Sequence, residues 1–339
     1  MLSQRTVHLD IGINGAFLTR RWEEPENWMR LTKELGYPYH EFCADVLDPF
    51  FSGDWEYQKE TAHKARAAAE KHGVIITDIY TGVATHRFHG LSHSHPTVQA
   101  CMREWITRCM DIALEMGVDR IGGHWDAYSI EVLADEARYQ VALDETYTQF
   151  RQLAHIAKGK GLAAIYNEQM YTPSEVPWTI QQAYEFLEAV NRGSDGVPIY
   201  LTVDTGHAAG IHYGAEGDDT DYRAWLRHFA AVAEVVHLQQ TTPKSSAHWP
   251  FTEEYNRQGL VRIEEVLAAI RYAHEHWAEN PLSAFMKPVE QTILVAEVIP
   301  ASTKREDVLL EELAETARYL RRYVPQGGLT WIFQGGCRG

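Results

Sequence analysis

No stretch of this chain reaches the roughly 18 consecutive apolar residues a membrane-spanning helix needs, so a membrane is not an expected partner. Cysteine is scarce as well. The four are Cys43, Cys101, Cys109 and Cys337, none of them in a CxxC pair. A chain of 339 residues can bury a large core without a disulfide framework. Basic residues are in deficit, with 31 Lys and Arg against 47 Asp and Glu, a formal charge of −16. That balance disfavours a nucleic-acid partner, whose phosphates need clustered cations. It leaves room for a small anion held by one local Lys or Arg. The first residues, Met-Leu-Ser-Gln-Arg-Thr, lack the basic-then-apolar pattern of a signal peptide, which makes the cytoplasm the expected location. Low-complexity tracts are missing too.

What the chain does have is alternation. Eight short apolar or β-branched runs can be read: Val7–Ile13, Tyr39–Ala44, Val74–Tyr80, Arg120–His124, Leu162–Glu168, Ile199–Asp204, Val235–Gln239 and Thr292–Ile299. Helix-like segments follow them at Pro25–Leu35, Trp55–His72, Pro96–Met116, Ala134–Lys160, Thr179–Asn191, Asp221–Glu234, Ile263–Trp277 and Arg305–Tyr323. Proline opens the first at a first-turn position, and Gly73 stops the second. Strand followed by helix, eight times, predicts an α/β fold of the (β/α)8 barrel type as a single domain over residues 1–324. A doubly wound sheet is the alternative, but Ile11-Gly-Ile-Asn-Gly-Ala16 after the first strand does not fit GxGxxG. Residues 325–339 are expected to be a mobile C-terminal extension, with Trp331–Phe333 available to pack on a neighbouring subunit.

Barrel enzymes place their chemistry at the C-terminal ends of the strands. There the fifth run ends at Glu168, the sixth at Asp204-Thr-Gly-His207, the seventh carries His237 and the eighth reaches Glu297. Any one of these is unremarkable, since a strand-end acid is commonly a helix cap and a lone histidine a satisfied core residue. Four consecutive strands each delivering a carboxylate or imidazole to one rim is a different matter. Glu168, Asp204, His237 and Glu297 make a set of three oxygen ligands and one nitrogen. It suits a divalent ion, Mn²⁺, Mg²⁺, Co²⁺ or Zn²⁺, and is too hard for copper(I).

This pattern resembles the xylose-isomerase-like barrel superfamily, over roughly Val7 to Tyr323, and within it the branch of D-tagatose 3-epimerase type ketose epimerases. The resemblance implies that the four residues bind the metal and that Glu168 and Glu297 act as acid and base on opposite faces of the substrate. It also implies that His207 donates to the substrate carbonyl oxygen. The reaction so implied is isomerisation or epimerisation of a small ketose or ketose phosphate, by proton transfer through a metal-stabilised enediolate. A homo-oligomer, dimer or tetramer, is expected by the same resemblance.

The chain departs from that branch after His237, where an Arg grips substrate oxygens. Here the sequence runs Leu-Gln-Gln-Thr-Thr-Pro-Lys244-Ser-Ser-Ala-His248-Trp. Lys244 is a candidate for the missing cation, and Arg87, in the histidine-rich loop after the third strand, is a candidate anion clamp. His124, in Gly122-Gly-His-Trp-Asp126, is a substrate-binding or supporting candidate, and the glycine pair there permits close backbone approach. Glu41 and Trp125 are weaker wall candidates. Three other functions compete. A decarboxylase or dehydratase of a keto-acid sugar would use the same metal. An endonuclease IV-like repair enzyme would need a further Asp-x-His pair, and the chain offers Ser-Ala-His248. A non-catalytic sugar-binding barrel would not need two inward glutamates.

Overall fold

The computed structural model describes residues 4–81 and 90–334. Arg87, the candidate clamp, lies outside them. The eight expected strands all form, as β1 (Gln4–Asn14), β2 (Tyr39–Cys43), β3 (Ile75–Tyr80), β4 (Arg120–Gly122), β5 (Ala164–Glu168), β6 (Ile199–Asp204), β7 (Val235–Leu238) and, after the hairpin β8 (Gln240–Thr242) and β9 (Ser245–Trp249), β10 (Gln291–Ala296). Each pairs in parallel with the next, and β10 returns to β1 from His8↔Gln291 to Ile13↔Ala296, which closes the barrel. Strand alternation sorts the side chains. Val7, Leu9, Ile11 and Ile13 of β1 join the large apolar layer under the helices. Tyr80, Ala164, Tyr166, Val235, Ile293 and Val295 form a separate cluster that fills the barrel interior.

The outer ring comprises α1 (Pro25–Glu34), α2 (Trp55–His72), α3 (Pro96–Met116), α4 (Ile130–Leu133), α5 (Glu136–Lys160), α6 (Ile180–Asn191), α7 (Tyr222–Phe229), α8 (Glu253–Gln258), α9 (Ile263–Glu275) and α10 (Glu306–Leu320). Their ends follow local chemistry. Asp54 caps α2 through the Tyr57 N–H, and Gly73 closes it at φ 64°. The segment expected as one helix from Ala134 begins instead at Glu136, because the Asp135 side chain accepts from the Ala137 and Arg138 N–H groups and starts α5 afresh. The helix expected to run to Glu234 stops at Phe229 and tightens into a 3-10 turn, Ala230–Val232, leading into β7. Among the described residues no helix is long and apolar enough to cross a membrane.

The C-terminal segment corrects an expectation. In place of a mobile extension from residue 325, Leu329–Gln334 form β11, antiparallel to β1 from Gln4↔Gln334 to Leu9↔Leu329. Phe333 is turned inward rather than toward another subunit. It stacks on His274 of α9 with ring centroids 5.7 Å apart, and the Arg5 guanidinium sits 5.2 Å from its ring. Arg5 also donates to the His274 carbonyl at 2.8 Å. Burying a Phe in this way contributes about 2 kcal/mol, a gain that periodicity in so short a tail did not reveal.

Candidate metal centre

The C-terminal ends of β5, β6, β7 and β10 bring Glu168, Asp204, His237 and Glu297 together, with one ligand atom from each within 4.8 Å of all the others. Around His237 Nδ1 lie Glu168 Oε1 at 3.0 Å, Glu297 Oε2 at 3.5 Å and Asp204 Oδ2 at 3.8 Å. All four residues are buried. Asp204 Oδ2 and Glu297 Oε2 have no hydrogen-bond partner among the described residues. Buried acceptors aimed at a common point and left unsatisfied are what a cation would complete. The donor set is hard and compact, so the residues fit a single divalent ion.

The second layer is ordered to match. His237 Nε2 sits 2.9 Å from Glu41 Oε1, and Asn14 Nδ2 donates to the same oxygen at 2.5 Å. Glu41 therefore fixes which ring nitrogen faces the ligand centre, as carboxylate partners do for metal-bound histidines. The Tyr80 ring packs edge-on against His237 at 4.7 Å. Gly122 makes room for that ring, since a Cβ there would lie 2.7 Å from Tyr80 Cε2. On Asp204, Oδ1 accepts from the Gly206 N–H at 2.5 Å and from Gln239 Nε2 at 3.0 Å, which leaves Oδ2 toward the centre. This explains the glycine in Asp204-Thr-Gly206-His207: a Cβ at 206 would overlap the Gln239 amide. Substituting Gly206→Ala is expected to destabilise the fold by about 1–3 kcal/mol through overpacking and to weaken metal binding. Thermal unfolding and calorimetric metal titration check it; wild-type values in both would remove Gly206 from this account.

Electrostatics points the same way. Burial works against a charged His237, but Glu41, Glu297 and Glu168 outweigh it and hold its pKa well above the usual imidazole value. Burial, with Glu297 and Glu168 nearby, lifts Asp204 to about 6 despite His207. Glu297 is opposed by burial yet driven well below the carboxylate range by His237 and His248. Without a cation, then, a doubly protonated His237 supplies the positive charge, and a metal must displace its Nδ1 proton. Proton and metal compete for one site, so metal affinity is expected to rise with pH and binding to release protons. Stability of the metal-free protein runs the other way. His237 and Asp204 both bind protons more tightly folded than unfolded, so their contribution is full at low pH. It is lost as pH climbs, for Asp204 between its ordinary 3.8 and about 6, and for His237 from 6.5 upward. Calorimetry in buffers of different ionisation enthalpy measures the release; none at pH 6 would contradict the assignment.

A cavity of about 390 Å³ opens over the centre, lined by Glu168, His207, His248 and Glu297 together with Asn14, Cys43, Asp45, Tyr171 and Glu175. A larger recess of about 590 Å³ lies at the opposite end of the strands around Arg120, Tyr166 and Glu234. There Glu234 is already engaged, by Arg120 Nε at 2.6 Å and the Tyr166 hydroxyl at 2.5 Å, and none of the ligand set lines it.

The other sequence candidates fall unevenly. His207 lies on the cavity wall, with Nδ1 2.8 Å from the Gln169 carbonyl, Nδ1 3.7 Å from Glu168 Oε1 and Nε2 3.9 Å from Asp204 Oδ2. Since a carbonyl only accepts, that contact commits the Nδ1 proton, and Nε2 can donate only as part of an imidazolium. His124 is fully buried behind the site, not on the cavity wall. Its Nε2 meets Asp126 Oδ1 at 2.7 Å and its Nδ1 lies 3.4 Å from the Glu168 carbonyl. Burial alone would lower its pKa, but Asp126 outweighs burial and raises it to about 9. Lys244 is exposed in the turn between β8 and β9, because the hairpin folds back at Pro243-Lys244 and points its tip outward. His248, weighed in the sequence only as half of a repair enzyme's pair, lines the cavity. It stands on the returning strand, with Nδ1 3.2 Å from Glu297 Oε2. Its signal was the short run Gln239–Thr242, ending in two threonines and too brief to announce a hairpin.

The chain is 22% identical over 295 residues to the D-erythrulose 1-phosphate 3-epimerase of Brucella abortus (strain 2308), covering 86% of this chain and 92% of that protein. In fold it is similar to a Rhodospirillum rubrum ATCC 11170 protein assigned provisionally as a xylose isomerase, with a TM-score of 0.78 at 23% identity over 94% of this chain and 100% of the other. It is also similar to the D-psicose 3-epimerase of Clostridium cellulolyticum H10 solved with D-tagatose, with a TM-score of 0.64 at 14% identity over 94% and 99%. The family model of xylose isomerase-like TIM barrels matches residues 29–292, and the chain belongs to that family.

Proposed function

We propose that this chain is a divalent-metal-dependent enzyme that epimerises or isomerises a small ketose or ketose phosphate by moving a proton on the carbon beside the carbonyl. The observation that carries the reading is the meeting of Glu168 and Glu297 with Asp204 and His237 at the floor of a cavity that His207 also lines. Relatives named as epimerases of erythrulose 1-phosphate and psicose favour epimerisation and a short substrate.

When bound, a divalent cation, Mn²⁺ in this reading, supplies a Lewis acid for the carbonyl oxygen and the adjacent hydroxyl. The chain's residues do the rest. One of Glu168 and Glu297 removes the carbon-bound proton, and the other returns one from the opposite face. His207 meets the carbonyl oxygen, where negative charge grows, through the ring nitrogen that the Gln169 carbonyl leaves free. A homo-oligomer in the cytoplasm completes the proposal, and with Asp45 and Glu175 at the mouth it includes no nucleic-acid partner.

The test is solvent-deuterium incorporation into ketoses of about four to six carbons, free and phosphorylated, with metal-loaded enzyme and chiral product analysis. Epimeric products labelled at the exchanged carbon are expected. Carbon dioxide or water release from a keto-acid sugar without exchange would replace this reading by the decarboxylase or dehydratase.

A further inference from the structure

The hairpin after β7 carries an imidazole that neither the ligand set nor the proton-transfer pair uses. We propose that His248 grips an uncharged hydroxyl oxygen of the substrate on the Glu297 side of the cavity, with Gln239 and Ser246 as its positioning residues. The kind of substrate rests on the ketose reading above.

His248 holds φ 47°, in the left-handed region that a residue with a Cβ enters at a cost of about 1–2 kcal/mol. Such strain persists only where neighbours over-determine it. Here the His248 N–H donates to Gln239 Oε1 at 2.7 Å, and ring Nε2 lies 3.1 Å from Ser246 Oγ. The result is a ring turned inward from a strand whose neighbouring tip is exposed. It faces His207 edge-on at 5.9 Å, and both line the cavity. The 3.2 Å approach of Nδ1 to Glu297 Oε2 is not aligned as a hydrogen bond, so Nδ1 stays a buried polar atom without one among the described residues. A buried polar atom on a cavity wall, beside a carboxylate but without an aligned hydrogen bond, is a place for a ligand atom.

The mounting is shared with the metal centre. Through Nε2 the Gln239 amide fixes Asp204 Oδ1, and through Oε1 it fixes the His248 backbone and accepts from Ser246 Oγ at 3.2 Å. One side chain thus sets a ligand carboxylate and the hairpin imidazole in register. Lys244, exposed at the hairpin tip, does not line the cavity with it. An imidazole there makes a short hydrogen bond to a hydroxyl, where a guanidinium would bring a fixed charge.

The test uses His248→Gly, because glycine takes φ 47° freely and so removes the ring without straining the backbone. Binding of a neutral four- or five-carbon polyol, erythritol or xylitol, to metal-loaded protein is measured by calorimetry beside metal affinity and thermal stability. The expected result is polyol affinity weakened about five- to tenfold, a KM for ketose raised by a similar factor, and metal affinity not weakened. His248→Asn, which tolerates the left-handed region and keeps both a donor and an acceptor, is expected to recover part of the loss. Wild-type polyol affinity in the glycine variant would overturn the assignment. So would a parallel fall in metal affinity, which would place His248 in support of the ligands, or a wild-type protein that binds neither polyol. A wild type that binds the polyol but exchanges no ketose proton removes the proposed function and leaves His248 standing.

Discussion

Substituting Glu297→Gln is expected to cut carbon-bound proton exchange by ~10²–10⁴-fold at saturating metal, the range typical of a lost general acid or base. The amide keeps the shape and a carbonyl ligand oxygen but cannot take up a proton. Glu297 is suited to the role because it is the ligand carboxylate with imidazoles on both sides, His237 at 3.5 Å and His248 at 3.2 Å. Those neighbours hold its pKa well down, so it is present as the base at neutral pH. The measurement is deuterium wash-in followed by NMR, with metal occupancy determined on the same sample. Exchange at the wild-type rate in a fully loaded Glu297→Gln protein would take this residue out of the proton-transfer pair.

The second large effect is on stability. Saturating the site at about a thousandfold excess over Kd stabilises the folded state by about 4 kcal/mol, which for a chain of this length raises the melting temperature on the order of 5–10 °C. Asp204→Asn should erase most of that shift, because Oδ2 is an anionic donor aimed at the centre while Oδ1 is occupied by Gly206 and Gln239. Without metal the order reverses. Asp204 is pushed up to about 6 by burial and by Glu297 and Glu168, so its charge is a burden above that pH. The metal-free Asn variant is therefore expected to melt no lower than metal-free wild type at pH 7–8, and several degrees lower once metal is added. Melting curves with chelator and with Mn²⁺ check both halves; an Asn variant that keeps the full metal-dependent shift would exclude Asp204 as a ligand.

Much of this was legible in the one-dimensional chain, for a physical reason. A (β/α)8 barrel repeats one local unit, so its strands announce themselves by short apolar runs and its helices by caps such as Asp54 and Gly73. Parallel closure also carries every strand end to one rim. Four candidate ligands one strand apart could thus be grouped before any coordinates, and β5, β6, β7 and β10 do bring them within 4.8 Å. His124 shows the limit of that argument. It too follows a strand, but Gly123 at φ 141° redirects the chain, and the imidazole goes behind Glu168 instead of onto the wall.

The residue types and their strand order were thus determined locally, and with them the barrel and the candidate ligand set. Tertiary structure alone decided what depends on distant partners. Glu41, some two hundred positions before His237, settles that ring's orientation by a single contact. The hairpin of β8 and β9 sends Lys244 to solvent and His248 to Glu297, because a two-residue turn and one strained backbone angle reverse the chain. β11 is a strand only because the N-terminal half of β1 leaves an edge for it to pair with. Periodicity reports which face of an element is apolar; which loop meets which is fixed by closure and packing.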